Sequence, residues 1–246
     1  MTTITTLLRH PLKSHGREAL RQTTLTAGQS MPFDRLWAVA HEASKADGSM
    51  WVPCANFSRV SKAPNLMAIT SSLNEATGDL TLSHPDRPDL TFNPDTGTDA
   101  FIAWVSPLVP QDRALPKRII RLEGRGFTDS DFPSVTLCNH ASHKAVETQM
   151  NQPLSIHRWR GNIWFETDAP WVEFDWLGKD VRIGDCVLTV RERTDRCLAT
   201  TANPDTGMRD ADTLAALDTW GHQDFSVRAE VKQGGTIRVG DQIEVL

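Results

Sequence analysis

Short apolar runs, separated by clusters of Gly, Pro, Asn and Asp, recur along this chain and constrain its fold more than any other feature. Such runs occupy residues 36–40, 65–73, 79–83 and 134–138. They are shorter than most helices and rich in residues that favour strands, while the clusters between them favour turns. The pattern predicts a mainly β protein with a few helices, that is, an α+β fold.

The C-terminal end holds the clearest strand pattern. Residues 225–231 (FSVRAEV) alternate between apolar and polar side chains, and Gly234-Gly235 is typical of a turn. We expect residues 236–246 (TIRVGDQIEVL) to pair back on this strand as a hairpin.

Two sequence fragments occur twice. VRIGDCVLTV (181–190) resembles IRVGDQIEVL (237–246), and NPDTG occurs at 93–97 and at 203–207. Pro-Asp-Thr-Gly is favoured wherever a chain reverses, and Gly-Asp before an alternating strand is typical of a turn or bulge. We interpret both pairs as recurring turns rather than as a duplication.

Two stretches are typical of helices. Residues 142–150 follow a strand run and can be capped by Asn139 or Ser142. Residues 212–220 begin at Asp212, a good N-cap, and are followed by Gly221.

One segment, residues 92–118, is rich in proline and turn residues. We expect it to be a linker between two domains. The predicted domains are an N-terminal β-rich unit (1–108) and a C-terminal β-rich unit (109–246).

Composition excludes several classes of protein. The chain has 246 residues, 39% of them hydrophobic, which is enough for one large or two modest domains. A net charge of −5 and a pI near 5.9 argue against a general nucleic-acid or anionic-membrane binder. The sequence has no window apolar enough for a membrane span, no secretory leader and no CxxC motif, so we expect a reduced cytoplasmic protein.

Common catalytic motifs are absent from the sequence. There is no P-loop, no Gly-x-Ser-x-Gly elbow and no His-Glu-x-x-His, and residues 124–126 (GRG) lack the rest of a dinucleotide fingerprint. His140 and His143 form a His-x-x-His pair, which alone is more typical of surface or capping histidines than of a metal site.

The stretch around Cys197 carries the most specific pattern. Its parts, in order, are IGD (183–185), VLTV (187–190), RC (196–197), ATT (199–201), NPDTG (203–207) and a final GTIRVGDQIEV (235–245). This order resembles the MOSC domain, the fold shared by the C-terminal part of molybdenum cofactor sulfurases and by amidoxime-reducing proteins.

The resemblance continues upstream. RWRGNI (158–163) is similar to the family's Arg-x-Arg-Pro-Asn-Ile strand, and SDFPSVTLCNHAS (130–142) to its Ser-Asp-x-x-Pro strand and helix. HPLKS (10–14) and DRLW (34–37) resemble the Tyr-Pro-x-Lys-Ser and Asp-Arg-x-Trp motifs of the N-terminal β-barrel domain that accompanies MOSC domains. The ordered set covers nearly the whole chain and is far more specific than any one motif.

Three positions depart from the family pattern. His10 stands in place of Tyr, Gly161 stands in place of Pro, and Asp195 lies two residues before the cysteine, where a neutral residue is more usual. A carboxylate is unfavourable beside a phosphate dianion or a thiolate, so these departures concern the cofactor contacts more than the fold.

The resemblance implies a role for Cys197 as the protein ligand to molybdenum and as the catalytic residue. A soft thiolate suits a metal that is already held by two dithiolene sulfurs. The alternative is an inert thiol buried on a strand, which is a common fate of free cysteine. We expect that inert role for Cys54, Cys138 and Cys186.

The resemblance also implies how an acidic protein holds the pterin phosphate, which carries about −2 charge. The positions matched to cofactor-contacting motifs, or placed near the site by the same matching, are Lys13, Ser14, Arg35, Asp131, Asn139, Arg158, Arg160, Asn162 and Arg196. The alternative for each is an exposed charge or a hydrogen-bonded turn residue.

By the same resemblance, the chain is expected to bind molybdenum cofactor (molybdopterin with Mo) between two β-rich domains. It would reduce N-hydroxylated compounds such as amidoximes, hydroxylamines or N-hydroxylated bases. No four-cysteine cluster motif is present, so a separate electron donor of ferredoxin, flavoprotein or cytochrome type is expected. Two alternatives stay open: a carrier of the cofactor or of sulfur on Cys197 without turnover, and a relative that kept the fold but lost the cofactor.

Overall fold

The computed structural model describes residues 2–246 and consists mainly of strands. The strands are β1 (Thr3–Arg9), β2 (Glu18–Leu20), β3 (Gln22–Leu25), β4 (Trp37–His41), β5 (Thr70–Asn74), β6 (Asp79–His84), β7 (Arg87–Phe92), β8 (Pro116–Arg121), β9 (Val135–Asn139), β10 (Ile163–Glu166), β11 (Asp180–Ile183), β12 (Cys186–Asp195), β13 (Asp224–Gln233), β14 (Gly235–Arg238) and β15 (Ile243–Val245). The helices are α1 (Thr98–Val105), α2 (His140–Met150) and α3 (Thr213–Asp218). The predicted mainly β fold with a few helices is confirmed.

The largest sheet has eight strands in the order β15–β11–β12–β13–β9–β10–β1–β2. Its neighbours are antiparallel except for β9 and β10, which run parallel and are joined through α2 as a crossover. Burial alternates along β12, and Leu188 and Val190 pack with Val227 and Ala229 of β13 in the core under one face. Burial of each of these Leu and Val side chains contributes about 1.5–3 kcal/mol.

The first strands of the chain belong to this same sheet. β1 pairs antiparallel with β10, with Leu7 opposite Ile163, and β2 pairs with the other edge of β1. β3 pairs with β14 in a separate two-stranded sheet. The division of the chain into 1–108 and 109–246 stays a prediction, and strands from both sides of it pair with one another.

The predicted C-terminal hairpin is wrong. β13 lies between β12 and β9, so both of its edges are already paired. β14 therefore pairs with β3, and β15 pairs with β11. The alternation of apolar and polar residues predicted that these segments are strands. Which strand each one pairs with depends on which sheet edges the other strands leave unpaired.

Residues 92–118 include a helix that the turn-rich pattern did not predict, while their role as a linker between two domains stays a prediction. The segment contains α1, whose Phe101, Trp104 and Val105 are buried in the core that includes Leu80 and Leu82 of β6. Their i, i+3, i+4 spacing is that of a helix with one apolar face. The turn residues around the helix hid this pattern.

The two NPDTG fragments form the same turn, as predicted. Asn93 Oδ1 accepts from Asp95 N at 3.0 Å, and Asn203 Oδ1 accepts from Asp205 N at 2.8 Å. The second turn ends at Gly207, whose φ is +70° and where an added Cβ would lie 2.6 Å from the Cα of Asn65. This close approach joins the stretch after Cys197 to the N-terminal half of the chain.

The two predicted helices and their caps are confirmed. Asn139 Oδ1 accepts from Ala141 N at 2.9 Å at the start of α2. Asp212 Oδ1 accepts from Ala215 N at 3.1 Å at the start of α3.

A fragment of residues 109–246 is expected to be unfolded on its own. It lacks β1, so it leaves the edge of β10 unpaired and removes Ile4 and Leu7 from the sheet's core. Circular dichroism should show no cooperative thermal transition for this fragment, whereas co-expression with 1–108 should restore one. A soluble 109–246 fragment that melts cooperatively would contradict the dependence on β1.

Candidate functional site

A cavity of about 360 Å³ opens between the N-terminal and C-terminal parts of the chain. This size is in the range of small-molecule and cofactor sites. Its charged lining residues are mostly cationic: Lys13, Arg35, Arg59, Arg158, Arg160, Arg196 and Arg228, against Asp129 and Asp195. The cavity is therefore a local basic site on an acidic protein, which is what binding of an anion requires.

Sheet register brings two of the predicted motifs together at this cavity. β1 and β10 are antiparallel, so the C-terminal end of β1 lies beside the N-terminal end of β10. The residues that follow β1 and those that precede β10 therefore leave the sheet at the same end. Leu8 N donates to Asn162 O at 2.7 Å, and Arg160 Nη2 donates to Gly16 O at 3.2 Å. The motifs at 10–14 and 158–163 thus become neighbours.

Most of the predicted site residues line the cavity. They are Lys13, Ser14, Arg35, Arg158, Arg160, Asn162, Arg196 and Cys197. The structure brings them together from distant parts of the sequence.

Asp131 and Asn139 do not line the cavity, so the structure does not bring them together with the other predicted site residues, and their role in cofactor binding stays a prediction. Asn139 is buried, caps α2 and donates to Glu173 Oε2 at 2.9 Å. Thr136 of the same strand does line the cavity, and a residue three positions along a strand lies on the opposite face. Asp131 is exposed outside the cavity.

Cys197 is exposed and lies two residues after the end of β12 instead of on a strand. Its backbone carbonyl accepts from Thr200 N at 3.1 Å, which starts the 3₁₀ turn Leu198–Thr201. The alternative of a buried strand thiol is therefore wrong for Cys197. It is right for Cys138 and Cys186, which are buried, and burial raises their pKa values to about 12 and about 11.

Lys13, Arg35 and Arg160 form what we call the cationic cluster. Lys13 Nζ donates to Phe127 O at 2.7 Å and to Asp129 Oδ1 at 2.6 Å. Arg35 donates to the Asp34 carboxylate and, through Nη2, to Arg160 O at 2.7 Å. These contacts fix the position of each cation before any ligand binds.

Arg160 is the least compensated member of the cationic cluster. Its Nη1 is buried and has no hydrogen-bond partner within residues 2–246. Burial, followed by repulsion from Arg35 and Arg17, lowers the pKa of Arg160 to about 9. A guanidinium stays protonated at neutral pH, so this shift indicates a cation that lacks an anionic partner.

Three cavity residues have left-handed backbone conformations. The φ angles are +64° at Ser14, +52° at Arg35 and +50° at Arg160. Such conformations cost about 1–3 kcal/mol each in non-glycine residues and concentrate at functional sites. Backbone hydrogen bonds hold two of these residues in place: Arg35 N donates to His10 O (2.7 Å), and Arg160 N donates to His157 O (3.3 Å).

Asp34 is buried behind the cavity lining and pairs with the Arg35 guanidinium. Its buried carboxylate accepts from His10 N at 2.8 Å and lies 3.2 Å from His10 Nδ1. Burial opposes ionisation, but Arg35 and the hydrogen bonds from His10 hold the pKa of Asp34 well below its usual range. Burial, then Arg160 and Arg35, lower the pKa of His10 to about 3, so this residue, which replaces the family's Tyr, is a neutral hydrogen-bonding group.

Arg196 and Asn162 line the cavity but direct their polar atoms into the protein. Arg196 donates to Trp159 O at 2.8 Å and to Phe225 O at 2.6 Å and 3.0 Å. Asn162 Oδ1 accepts from Thr136 Oγ1 at 2.9 Å. Both residues hold the strand ends that carry Cys197 and Arg160.

Two of the departures from the family pattern have local physical reasons. Asp195 is exposed, and its Oδ1 lies 3.3 Å from Arg228 Nη2, so a cation offsets the carboxylate beside Cys197. A Cβ at position 161 would lie 2.1 Å from the Sγ of Cys138, so Gly161 is the residue that fits there.

Sequence reasoning missed Arg59, Arg228 and the half-buried Cys54 as lining residues. Arg228 was detectable, because it lies between the inward-facing Val227 and Ala229 and opposite Thr136 in the register. Cys54 and Arg59 lie on an irregular segment with no periodic pattern. Their approach to Cys197 is a tertiary effect.

The two histidines of the His-x-x-His pair pack against neighbouring side chains, and His143 is buried instead of lying on the surface as expected. His143 Nδ1 accepts from Trp159 Nε1 at 3.0 Å, and His140 Nε2 lies 2.8 Å from Thr5 Oγ1. Within residues 2–246 no group of three or more His, Cys, Asp or Glu side chains is arranged to hold a metal ion.

Two known protein-family domains match different parts of the chain. Residues 126–244 match the MOSC domain, and residues 1–106 match the MOSC N-terminal beta barrel domain. The chain belongs to the MOSC family. The resemblance seen in its motifs is thereby confirmed.

This MOSC protein is similar to one known protein in sequence and to another in structure. Mitochondrial amidoxime-reducing component 1 from Xenopus laevis is 29% identical over 126 residues, which cover 46% of this chain but 36% of that protein. The crystal structure of the YuaD protein from Bacillus subtilis aligns over 100% of this chain and 96% of its own, with 12% identity and a TM-score of 0.51. The second likeness supports the fold alone.

No helix within residues 2–246 of this MOSC protein is long and apolar enough to cross a membrane.

The MOSC protein is expected to lose stability on mild acidification. His10 and His15 are fully buried, and burial is the main cause that lowers their pKa values to about 3 and about 4. Between the unfolded value of 6.5 and these values the unfolded state binds more protons, so stability falls as pH drops. Each histidine contributes a loss of about 2 kcal/mol between about pH 7 and about pH 5.

Urea unfolding at the two pH values tests this expectation. His15→Gln should reduce the pH-dependent loss of unfolding free energy by the contribution of one histidine. His222→Gln should show the same loss as the wild type. Equal stability of the wild type at both pH values would show that the buried histidines do not stay neutral.

Proposed function

We propose that this protein binds molybdenum cofactor in the cavity and reduces N-hydroxylated compounds. One observation carries the proposal: the exposed Cys197 lines the same cavity as a cationic cluster with an unpartnered buried N–H. A thiolate beside fixed cations suits a metal held by dithiolene sulfurs on a phosphate-bearing ligand. Membership of the MOSC family and the name of the Xenopus relative, an amidoxime-reducing component, support the same function.

The residues present fit this cofactor. Lys13, Arg35 and Arg160 would hold its phosphate, because an anion supplies the missing partner of Arg160 Nη1. Arg158 is buried and lines the cavity with an unpartnered Nε, so it offers a further donor to the pterin. Cys197 would be the protein ligand to the metal.

When bound, the cofactor supplies a metal that exchanges electrons with the N–O bond of the substrate. The overall reaction converts R–NH–OH, two electrons and two protons into R–NH₂ and water. We propose that the electrons come from a separate donor of ferredoxin, flavoprotein or cytochrome type. The chain's own contribution is to present the Cys197 thiolate, to fix it through Arg196 and to offset the ligand's negative charge.

A cofactor or sulfur carrier without turnover is the rival function. It shares the cavity and the cationic cluster, so retention of the cofactor does not separate the two functions. An assay with benzamidoxime and an artificial reductant does, because only the enzyme forms benzamidine over many turnovers.

Removing one cation of the cluster is expected to weaken cofactor retention. Arg160→Ala and Lys13→Ala each remove a charge-assisted contact to an anion, which corresponds to about tenfold to hundredfold weaker binding. Molybdenum and molybdopterin per protein, measured after purification from a molybdate-supplied host, should fall in both variants. The control is Arg113→Ala, since the Arg113 side chain is exposed, does not line the cavity and pairs with its neighbour Asp112 at 3.7 Å. Wild-type cofactor content in both cluster variants would remove these residues from the site.

Cys197→Ser is expected to abolish reduction while leaving the fold intact. The side chain is exposed, so the near-isosteric change removes no core packing, and a hydroxyl is a harder ligand that ionises poorly at neutral pH. The variant should keep its melting temperature and most of its pterin, with loss of benzamidoxime reduction and a changed metal spectrum. Cys186→Ser serves as the comparison, because it places a hydroxyl in the core and should lower the melting temperature. Full activity of Cys197→Ser would exclude the ligand role.

A further inference from the structure

Arg59 lies in the part of the cavity that adjoins Cys197, on a different stretch of chain from the cationic cluster. Arg209 donates to Leu198 O through Nη1 and to Ser61 O at 2.9 Å through Nη2. One guanidinium thus ties the segment after Arg59 to the residue after Cys197. Arg59, Ser61 and Cys197 all line the cavity.

Arg59 carries a positive charge that no carboxylate neutralises. Its Nη1 donates to the Sγ of Cys54 at 3.0 Å, and it makes no ion pair with any residue from 2 to 246. In contrast, Lys13, Arg35, Arg158 and Arg228 each pair with an acidic side chain. Arg59 is half-buried, so its guanidinium remains open to a ligand.

The wall around Arg59 is apolar and fixed in place. Trp51, Pro53 and Val60 line the cavity beside it. Trp51 Nε1 donates to Thr128 O at 2.8 Å, and the Arg125 guanidinium lies 4.8 Å from the centre of the Trp51 ring. These contacts join the segment to the C-terminal half, so the wall combines an apolar surface with one unpaired cation.

We propose that Arg59 is a specificity residue that binds the carboxylate of anionic N-hydroxylated substrates and holds them over Cys197. The guanidinium fork matches a carboxylate in two parallel hydrogen bonds, and the surrounding apolar wall suits the planar body of an aromatic substrate. The inference rests on the proposed function and adds a substrate class to it.

Two substrates that differ in one carboxylate test the proposal. Benzamidoxime is neutral, and its 4-carboxy derivative carries the anion. The ratio of kcat/KM for the carboxylated over the neutral substrate should fall at least about tenfold in Arg59→Ala. Arg59→Lys should retain part of the preference as a point charge, and Arg113→Ala should keep the wild-type ratio.

A binding measurement separates failure of this inference from failure of the proposed function. Benzamidine and 4-carboxybenzamidine are titrated into the cofactor-loaded protein and followed by tryptophan fluorescence, since Trp51 and Trp159 line the cavity. The carboxylated compound should lose at least about tenfold more affinity than benzamidine in Arg59→Ala. If no N-hydroxy compound is reduced by the wild type, the proposed function fails, while this titration still decides the role of Arg59.

Three results would overturn the inference. Equal losses for both compounds would mean that Arg59 does not recognise charge. Loss of molybdopterin from Arg59→Ala would place Arg59 with the cofactor. An unchanged ratio in a folded variant would exclude a carboxylate site. If Arg59→Ala melts early, Arg59→Gln carries the test, because it removes the charge while keeping much of the side chain, and it should lower the same ratio.

Discussion

The antiparallel pairing of β1 with β10 is the interaction on which the rest of the structure depends. It makes the N-terminal strand part of the eight-stranded sheet and fills the core with residues such as Leu7. It also fixes where the chain leaves that sheet. The loop after β1 and the loop before β10 must emerge side by side, and the cationic cluster is built from those two loops and Arg35.

The cavity stores electrostatic and conformational strain that an anion would relieve. Arg160 is buried near Arg35 and Arg17, and both Arg35 and Arg160 have left-handed backbones. Desolvated like charges lower stability unless hydrogen bonds and opposite charges compensate them. The buried Asp34 compensates Arg35, while one nitrogen of Arg160 is left without a partner. The site is therefore organised in advance for a negative ligand.

Environment gives the four cysteines different chemistry. Cys138 and Cys186 are fully buried, and their raised pKa values keep them as neutral packing groups. Cys197 is exposed and faces the cavity from a loop that Arg196 anchors to Trp159 and Phe225. Cys54 lies on the opposite segment, where it orients Arg59. Residue type alone could not distinguish these roles, because burial decides them.

The sequence by itself determined the family, most strands and the turn and cap positions, since these depend on local chemistry. The alternation along β12, the Asn139 cap and the NPDTG turns are encoded within a few neighbouring residues. Of the ten site residues that motif order predicted, eight line the cavity.

Only the tertiary structure decided which strand edges were free, and it therefore placed β14 on β3 instead of on β13. It decided that Asn139 faces away from the cavity while Thr136 faces into it. It also placed Arg59 and Cys197 in the lining of one cavity, where Arg209 links Ser61 to Leu198 between irregular segments far apart in the chain. The physical reason is the same in each case: local patterns fix the conformation of a segment, whereas its neighbours depend on long-range competition for sheet edges and buried surface.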